Sequence, residues 1–158
     1  MSAREELRAE LEKEMKGRGY YFNPDESFTL DLLEGLLVNE ERYGYRACPC
    51  RLATGDREKD LDIICPCDYR DEDVEEYGAC YCALYVSEEI HLGKKKAVAI
   101  PERRNRKPEL QDTAGKTVLD LKYPIYRCKV CGYLAARNQP PGKCPICGVD
   151  KDRFERIL

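Results

Sequence analysis

The chain has 158 residues, of which 42% are hydrophobic and 36% charged, and it contains ten cysteines, one histidine and no tryptophan. This composition allows one modest hydrophobic core but not two large ones. The net charge of −3 argues against a non-specific nucleic-acid binder, and no stretch approaches the ~20 apolar residues of a membrane span. We therefore expect neither nucleic acid nor a membrane as a partner.

The N-terminal segment MSAREELRAELEKEMKG is charged and amphipathic, and it lacks the apolar core of a secretory signal. We therefore expect a cytoplasmic protein. Because thiols are kept reduced in the cytosol, clustered cysteines there indicate metal binding or catalysis more often than structural disulfides.

Two amphipathic helices are predicted before the first cysteine. The first, within residues 3–17, has an apolar stripe formed by Leu7, Leu11 and Met15. The second begins at Asn23 as the N-cap, with a proline at its first position, and ends near Gly44. Its buried stripe is predicted to consist of Leu30, Leu33, Leu36 and Leu37.

The helical periodicity disappears from Cys48 to Cys82, apart from a short acidic helix predicted around residues 71–76. A segment with so little apolar surface needs something bound by its cysteines to organise it. Residues 97–100 (AVAI) are predicted to form a short strand or the end of a helix. Residues 101–123 are polar with two prolines and are predicted to be a linker to a C-terminal module at 124–158.

The ten cysteines fall into two sets by spacing. Four lie in two C-x-x-C pairs, each followed by glycine: Cys128/Cys131 and Cys144/Cys147. Two such knuckles present four thiolates tetrahedrally, which suits zinc or iron. The other six lie in three C-x-C pairs: Cys48/Cys50, Cys65/Cys67 and Cys80/Cys82.

The C-terminal segments YRCKVCGY (126–133) and KCPICG (143–148), with Phe154-Glu155 near the end, resemble a rubredoxin-like module. The short gap between the knuckles is similar to that of the rubrerythrin tail. The resemblance implies one mononuclear iron that cycles between its ferrous and ferric states, with zinc as the alternative metal.

The six-cysteine set exceeds what one cluster needs. A 4Fe–4S cluster takes four thiolates, so two cysteines are left over, and a reversible dithiol/disulfide beside the cluster would account for them. The spacing alone does not choose which two. A structural pair of zinc ions with shared ligands is the alternative.

The order of motifs over residues 3–100 is distinctive: Tyr20-Tyr21-Phe22, Leu33-Glu34-Gly35-Leu36, and then the three C-x-C pairs. This part resembles the catalytic chain of ferredoxin:thioredoxin reductase, and the whole chain resembles the ferredoxin:disulfide reductase fusions of anaerobic prokaryotes. The resemblance implies a mainly α iron–sulfur domain over residues 1–100 and a small β knuckle module over residues 124–158.

The resemblance also implies a role for each cysteine of the first set. Cys50 and Cys82 match the redox-active disulfide, with Cys82 lying against the cluster and Cys50 nearer to solvent. Ferredoxin is the implied electron donor, and a thioredoxin-like protein or a small-molecule disulfide is the implied substrate. The implied ligands of the 4Fe–4S cluster are Cys48, Cys65, Cys67 and Cys80.

Two residues beside these cysteines are candidates for tuning protons and pKa. Tyr81 stands where the family usually has a histidine thought to move protons, and a phenol with a pKa near ~10 is a poor proton shuttle at neutral pH. Arg51 follows Cys50 and would lower its thiol pKa; the alternative is a solvated arginine paired with nearby acids. His91, the only histidine, is expected to be an ordinary surface or loop residue.

A basic run with a net charge of +6 at residues 94–107 is a candidate for steering an acidic ferredoxin, and the alternative is a solvated face. Two other functions stay open on the sequence: a non-catalytic iron–sulfur electron carrier, and a zinc-stabilised binding module.

Overall fold

The computed structural model describes residues 1–104 and 121–158. They form two compact units, Met1–Pro101 and Glu102–Leu158. Most of the predicted linker, residues 105–120, lies outside the described residues. Among the described residues, none of the helices has both the length and the hydrophobicity that a transmembrane span requires.

The first unit is mainly helical, as predicted. Its helices are α1 (Ala3–Met15), α2 (Glu26–Tyr43), α3 (Arg70–Tyr77) and α4 (Glu88–His91), with a 3-10 turn at Leu61–Ile63. Two short strands, β1 (Tyr21–Phe22) and β2 (Tyr85–Val86), pair antiparallel, with Tyr21 opposite Val86. The sheet therefore joins the start of the chain to the segment that follows the last C-x-C pair.

The predicted stripe of α1 is confirmed, since Leu7, Leu11 and Met15 are its buried residues. The helix begins at a capping box, in which the Ser2 side chain accepts the Glu5 N–H and the Glu5 carboxylate accepts the Ser2 N–H. The acidic helix predicted at 71–76 is also confirmed, as α3.

The predicted start of α2 is wrong by two residues, because Asp25 and not Asn23 is the N-cap. The Asn23 side chain instead accepts the Asp25 N–H and donates its amide to the Ala83 carbonyl, 3.0 Å away. It therefore ties this turn to the last cysteine pair. The helix ends at Gly44, as predicted, and its buried residues are Thr29, Leu32, Leu33 and Leu36, while Leu30 and Leu37 are only half-buried.

The core of the first unit packs α1 and α2 against the cysteine-bearing segments. Leu33 and Leu36 are fully buried together with Ile63 and Leu84. Three of the cysteines, Cys48, Cys80 and Cys82, belong to the same buried cluster. The hydrophobic core and the cysteine site are therefore continuous.

The strand or helix predicted at residues 97–100 is wrong. These residues have neither helical nor strand hydrogen bonding in the described structure, and all but the last are exposed. Four apolar residues between two basic segments are too few to form a stable element without a pairing strand.

The second unit contains a three-stranded antiparallel sheet in the order β4–β3–β5, which confirms the prediction of a small β module. The strands are β3 (Ile125–Cys128), β4 (Leu134–Ala136) and β5 (Phe154–Arg156), and a 3-10 turn at Lys151–Arg153 precedes β5. Cys128, at the end of β3, pairs with Phe154 of β5.

Candidate metal centres and thiol pair

The two C-x-x-C pairs of the second unit form matching knuckles. In the first, the Gly132 N–H donates to the Cys128 carbonyl and the Cys128 N–H to the Tyr133 carbonyl. In the second, the Gly148 N–H donates to the Cys144 carbonyl and the Cys144 N–H to the Val149 carbonyl. Both glycines have left-handed backbone, with φ of 79° and 77°, which other residues adopt at a cost.

The knuckles bring four sulfurs together in one site. All four Sγ atoms lie within 4.8 Å of one another, with 3.6 Å between Cys128 and Cys147 and 3.5 Å between Cys131 and Cys144. Four sulfurs placed tetrahedrally at about 2.3 Å from a metal are about 3.8 Å apart. The donor set and its spacing therefore fit mononuclear iron or zinc.

The protonation of these thiols is linked to metal binding. Burial raises the pKa of Cys131 to about 11, although the Tyr133 N–H acts in the opposite direction. Burial also raises the pKa of Cys147. Since only thiolates ligate iron or zinc, binding must release protons and weakens as the pH falls.

The three C-x-C pairs of the first unit lie in or beside tight turns. The Arg51 N–H donates to the Cys48 carbonyl, the Arg70 N–H to the Cys67 carbonyl, and the Ala83 N–H to the Cys80 carbonyl. Ala83 has a φ of 58°, the only positive φ of a non-glycine residue in the described chain. The third turn is thus held in a conformation that Ala adopts only at a cost.

Backbone pairing brings the first two turns together. An isolated bridge joins Ala47 to Ile64, so that the Cys48 N–H donates to the Ile63 carbonyl and the Cys65 N–H to the Arg46 carbonyl. Pro49 packs against α2 at Gly35, where a Cβ atom would lie 3.0 Å from the proline ring. The absence of a side chain at Gly35 therefore lets the first turn approach the helix.

Five of the six cysteines of this set line one small cavity. They are the four predicted ligands Cys48, Cys65, Cys67 and Cys80, together with Cys82; Arg51, Arg70, Tyr81 and Tyr85 complete the wall. Thiolate sulfurs are the donors that iron–sulfur clusters require, so the residues present fit such a group. Burial raises the pKa of Cys65 above its usual range and that of Cys67 to about 12, so cluster binding has to displace their protons.

Cys50 differs from the other five in being exposed. Its thiol is in hydrogen-bonding contact with those of Cys48 and Cys82, and the buried Sγ of Cys82 is 3.7 Å from that of Cys80. The contacts with Cys48 and Cys82 and, to a smaller extent, the charge of Arg51 lower the pKa of Cys50 to about 3. The contacts with Cys48, Cys50 and Cys80 raise the pKa of Cys82. The structure thus pairs an accessible thiolate with a buried thiol.

Arg51 is 8% exposed, so it is not the solvated arginine of the alternative interpretation. Its Nη1 donates to the Cys67 Sγ at 3.6 Å. The guanidinium carbon lies 4.3 Å from the ring centre of Tyr81 and 5.1 Å from that of Tyr69. Tyr81 therefore faces the arginine with its ring.

Several residues of this site were not identified from the sequence. The Tyr85 hydroxyl is 3.7 Å from the Cys65 Sγ, and the guanidinium of the buried Arg70 lies 4.9 Å from the Tyr85 ring centre. Glu14 binds Arg70 through both carboxylate oxygens, at 2.9 and 3.1 Å. The one signal available was the position of Arg70, three residues after Cys67.

Two further expectations concern residues outside the cysteine site. His91 is not an ordinary surface residue: it ends α4, is half-buried, stacks on Tyr21 at 4.9 Å and contacts the Phe22 carbonyl through Nδ1 at 2.8 Å. In the basic run, Lys94, Lys95 and Lys96 are exposed and Arg103 and Arg104 half-buried, whereas Arg106 and Lys107 lie outside the described residues.

The fold and the two cysteine sites define a two-unit redox protein of the iron–sulfur type. Residues 2–106, more than half of the chain, match the family described as ferredoxin thioredoxin reductase catalytic beta chain, and the chain belongs to that family. Residues 126–155 match the rubredoxin-like domain of rubrerythrin. At the level of the family, the chain is a thioredoxin reductase-like oxidoreductase.

Two curated relatives match different parts of the chain. The ferredoxin-thioredoxin reductase catalytic chain of Porphyra purpurea is 30% identical over 86 residues, which are 52% of this chain and 69% of the relative. Reverse rubrerythrin-1 of Clostridium acetobutylicum is 44% identical over 32 residues, which are 20% of this chain and 18% of the relative. The chain thus spans less than a fifth of the reverse rubrerythrin.

Proposed function

We propose that this chain is a ferredoxin-dependent disulfide reductase of the cytoplasm. The family match and the likeness to a ferredoxin-thioredoxin reductase catalytic chain support the class of reaction. The observation that carries the proposal is the division of the six cysteines, in which one exposed thiol contacts a buried thiol on the wall of a cavity lined with further cysteines.

In this proposal, Cys48, Cys65, Cys67 and Cys80 hold a 4Fe–4S cluster. The bound cluster supplies one electron at a time, which is what a ferredoxin donor delivers. The protein contributes a wall formed by the sulfurs, Arg51, Arg70 and Tyr85. Burial of these groups limits the access of water to the centre.

Cys50 and Cys82 carry the thiol–disulfide exchange. The Cys50 thiolate attacks one sulfur of the substrate disulfide, so that a mixed disulfide forms and one substrate thiolate leaves and takes a proton. Cys82 then attacks the Cys50 sulfur, which releases the second substrate thiol and leaves a Cys50–Cys82 disulfide. Two electrons from ferredoxin and two protons return this disulfide to the dithiol.

The energetics favour reduction of the substrate. Low-potential ferredoxins lie near about −400 mV and thioredoxin near about −270 mV. A difference of ~130 mV corresponds to roughly 6 kcal/mol for two electrons. A thioredoxin-like protein or a small-molecule disulfide is therefore reduced without ATP or a nicotinamide.

Residues 1–100 form the reductase domain in this proposal, and residues 124–158, after a linker at 101–123, form an electron-transfer domain with one iron. The four clustered sulfurs of Cys128, Cys131, Cys144 and Cys147 support a mononuclear centre. The exposed lysines 94–96 are the docking candidates for an acidic ferredoxin.

The test compares Cys50→Ser with Cys65→Ser in the full chain. The wild-type protein is expected to contain about five irons and four acid-labile sulfides per chain. Cys50→Ser should keep this content and lose ferredoxin-driven disulfide reduction, because it removes the nucleophile and no ligand. Cys65→Ser, which removes a ligand, should lose most of the sulfide.

Three results would contradict the proposal. Loss of the sulfide in Cys50→Ser would make Cys50 a ligand. A wild-type chain without a reducible Cys50–Cys82 bond would leave only the electron carrier, and a colourless protein that contains zinc would leave the binding module.

A further inference from the structure

Arg51 contacts the cluster site at Cys67 and not only at its sequence neighbour Cys50. The turn that begins at Cys48 buries the Arg51 side chain, although Cys50, one position earlier, is exposed. The Nη1 group lies 3.6 Å from the Cys67 Sγ, which is within the range of a hydrogen bond to sulfur. A buried cation thus donates directly to one of the proposed ligand sulfurs.

Two aromatic rings fix the position of this guanidinium. The ring centres of Tyr81 and Tyr69 lie 4.3 and 5.1 Å from the guanidinium carbon, inside the ~6 Å range of cation–π contacts. The Tyr69 hydroxyl in turn donates to an Asp62 carboxylate oxygen at 2.8 Å. Arg51, Tyr69 and Tyr81 come from three different cysteine turns, so their contacts also tie these turns together.

We propose that Arg51 is a positioning residue that raises the reduction potential of the metal centre at Cys67, and that Tyr81 acts by holding Arg51 with its ring face. The inference rests on the proposed role of Cys67 as a cluster ligand. An added electron makes the centre more negative, and both the positive charge and the N–H···S hydrogen bond stabilise that reduced state more than the oxidised state.

The second part of the inference concerns the tyrosine between Cys80 and Cys82. A proton carrier at this position would need its hydroxyl, whereas a platform for Arg51 needs only an aromatic ring. Phenylalanine keeps the ring and removes the hydroxyl, and leucine removes both. The pair Tyr81→Phe and Tyr81→Leu therefore separates the two roles.

The experiment measures the midpoint potential of the centre in the full chain by a redox titration followed by EPR, after iron and sulfide have been counted. Arg51→Met should lower the equilibrium constant for one-electron reduction about tenfold, which is a shift of about 59 mV to more negative potential. Tyr81→Leu should shift the potential in the same direction, and Tyr81→Phe should match the wild type. Arg51→Lys, which keeps the charge and loses the planar stacking group, should give an intermediate shift.

Arg42→Met is the matched control. Arg42 is an exposed arginine whose guanidinium carbon lies 5.8 Å from the ring centre of Tyr43, so it has a comparable aromatic contact on the outer surface of α2. Its substitution should leave the potential unchanged. If Arg51→Met does not assemble the centre, Arg51→Lys and the Tyr81 pair provide the same comparison.

The inference is overturned if the Arg51 variants retain the wild-type potential, or if Tyr81→Phe shifts it as much as Tyr81→Leu does. Failure of the proposed function has different signatures, because the wild-type chain would then lack either acid-labile sulfide or a reducible Cys50–Cys82 bond, and neither result is a shift in potential.

Discussion

At the scale of single residues, the two cysteines of the first C-x-C pair differ sharply in their surroundings. Cys48 is buried in the core and Cys50 is exposed, although only Pro49 separates them. In the third pair both Cys80 and Cys82 are buried. Because a protein disulfide can reach only an accessible sulfur, the exposure of Cys50 supports the proposal that it is the first nucleophile.

The glycines of the two knuckles allow a prediction at this scale. Gly132 has a φ of 79° and open space where a Cβ atom would lie, so alanine there would be strained by its backbone alone. We expect Gly132→Ala to destabilise the metal site of the second unit by about 1–2 kcal/mol. The measurement is the urea concentration at which the iron-reconstituted full chain loses its high-spin ferric EPR signal, which should fall in the variant.

Gly142→Ala is the control for this prediction. Gly142 also has open space around it, but its φ lies outside the left-handed region. Equal urea midpoints for the two variants would show that the conformation of Gly132 does not limit the stability of the site.

The residue types and spacing predicted both cysteine sets and the iron or zinc character of the second site. They did not show which two of the six cysteines a 4Fe–4S cluster would leave over, because the three C-x-C pairs have identical spacing. The contact of Arg51 with Tyr81 joins residues 30 positions apart in the chain. No periodicity or motif indicates such a contact, so the packing of the Tyr81 ring against Arg51 could be found only in the three-dimensional structure.

At the scale of elements, a buried ion pair joins α1 to α3. Arg70, the first residue of α3, is fully buried and is bound by both oxygens of Glu14 near the end of α1. Its guanidinium also lies 4.9 Å from the ring centre of Tyr20. Since Arg70 lines the cysteine cavity, this pair connects the position of the helices to the wall of the site.

We expect Glu14→Ala to destabilise the first unit by about 3 kcal/mol, because it removes the hydrogen bonds of both Nη groups of the buried Arg70, which then keeps Asp71 as a carboxylate partner at Nε. The measurement is urea unfolding of the full chain followed by the helical circular dichroism signal. Glu10→Ala is the matched control on the same helix, since Glu10 is exposed and pairs with Arg46 at the surface at 3.0 Å. It should cost less than about 1 kcal/mol.

If Glu14→Ala destabilised the first unit by no more than the small amount expected for Glu10→Ala, this expectation would be contradicted. That result would mean that the ion pair contributes little and that apolar packing alone holds α1 in place.

Elements with a strong local signal were predictable, and elements that depend on partners were not. The apolar stripe of α1 and the glycine at the end of α2 were sufficient to predict these two helices. The start of α2 was placed at Asn23 because its side chain can cap a helix, but its Oδ1 accepts the Asp25 N–H instead, while its amide group donates to the Ala83 carbonyl, 60 residues away. A local pattern cannot show this competition.

At the scale of the whole molecule, each unit has its own hydrophobic cluster and its own set of cysteines. The cluster of the first unit contains Cys48, Cys80 and Cys82, and that of the second contains Cys128, Cys144 and Cys147. The cysteines of each unit lie on turns that are local in the sequence. The motifs could therefore predict both modules separately. The two sites should therefore assemble independently.

This independence leads to a prediction for the double variant Cys128→Ser, Cys147→Ser in the full chain. We expect it to lose one iron per chain and to keep all four acid-labile sulfides and the reducible Cys50–Cys82 pair, because all the described residues that line the cysteine cavity belong to the first unit. The measurements are iron and sulfide analysis and a thiol titration before and after reduction. A loss of sulfide together with the iron would show instead that the first unit needs an intact second unit to hold its cluster.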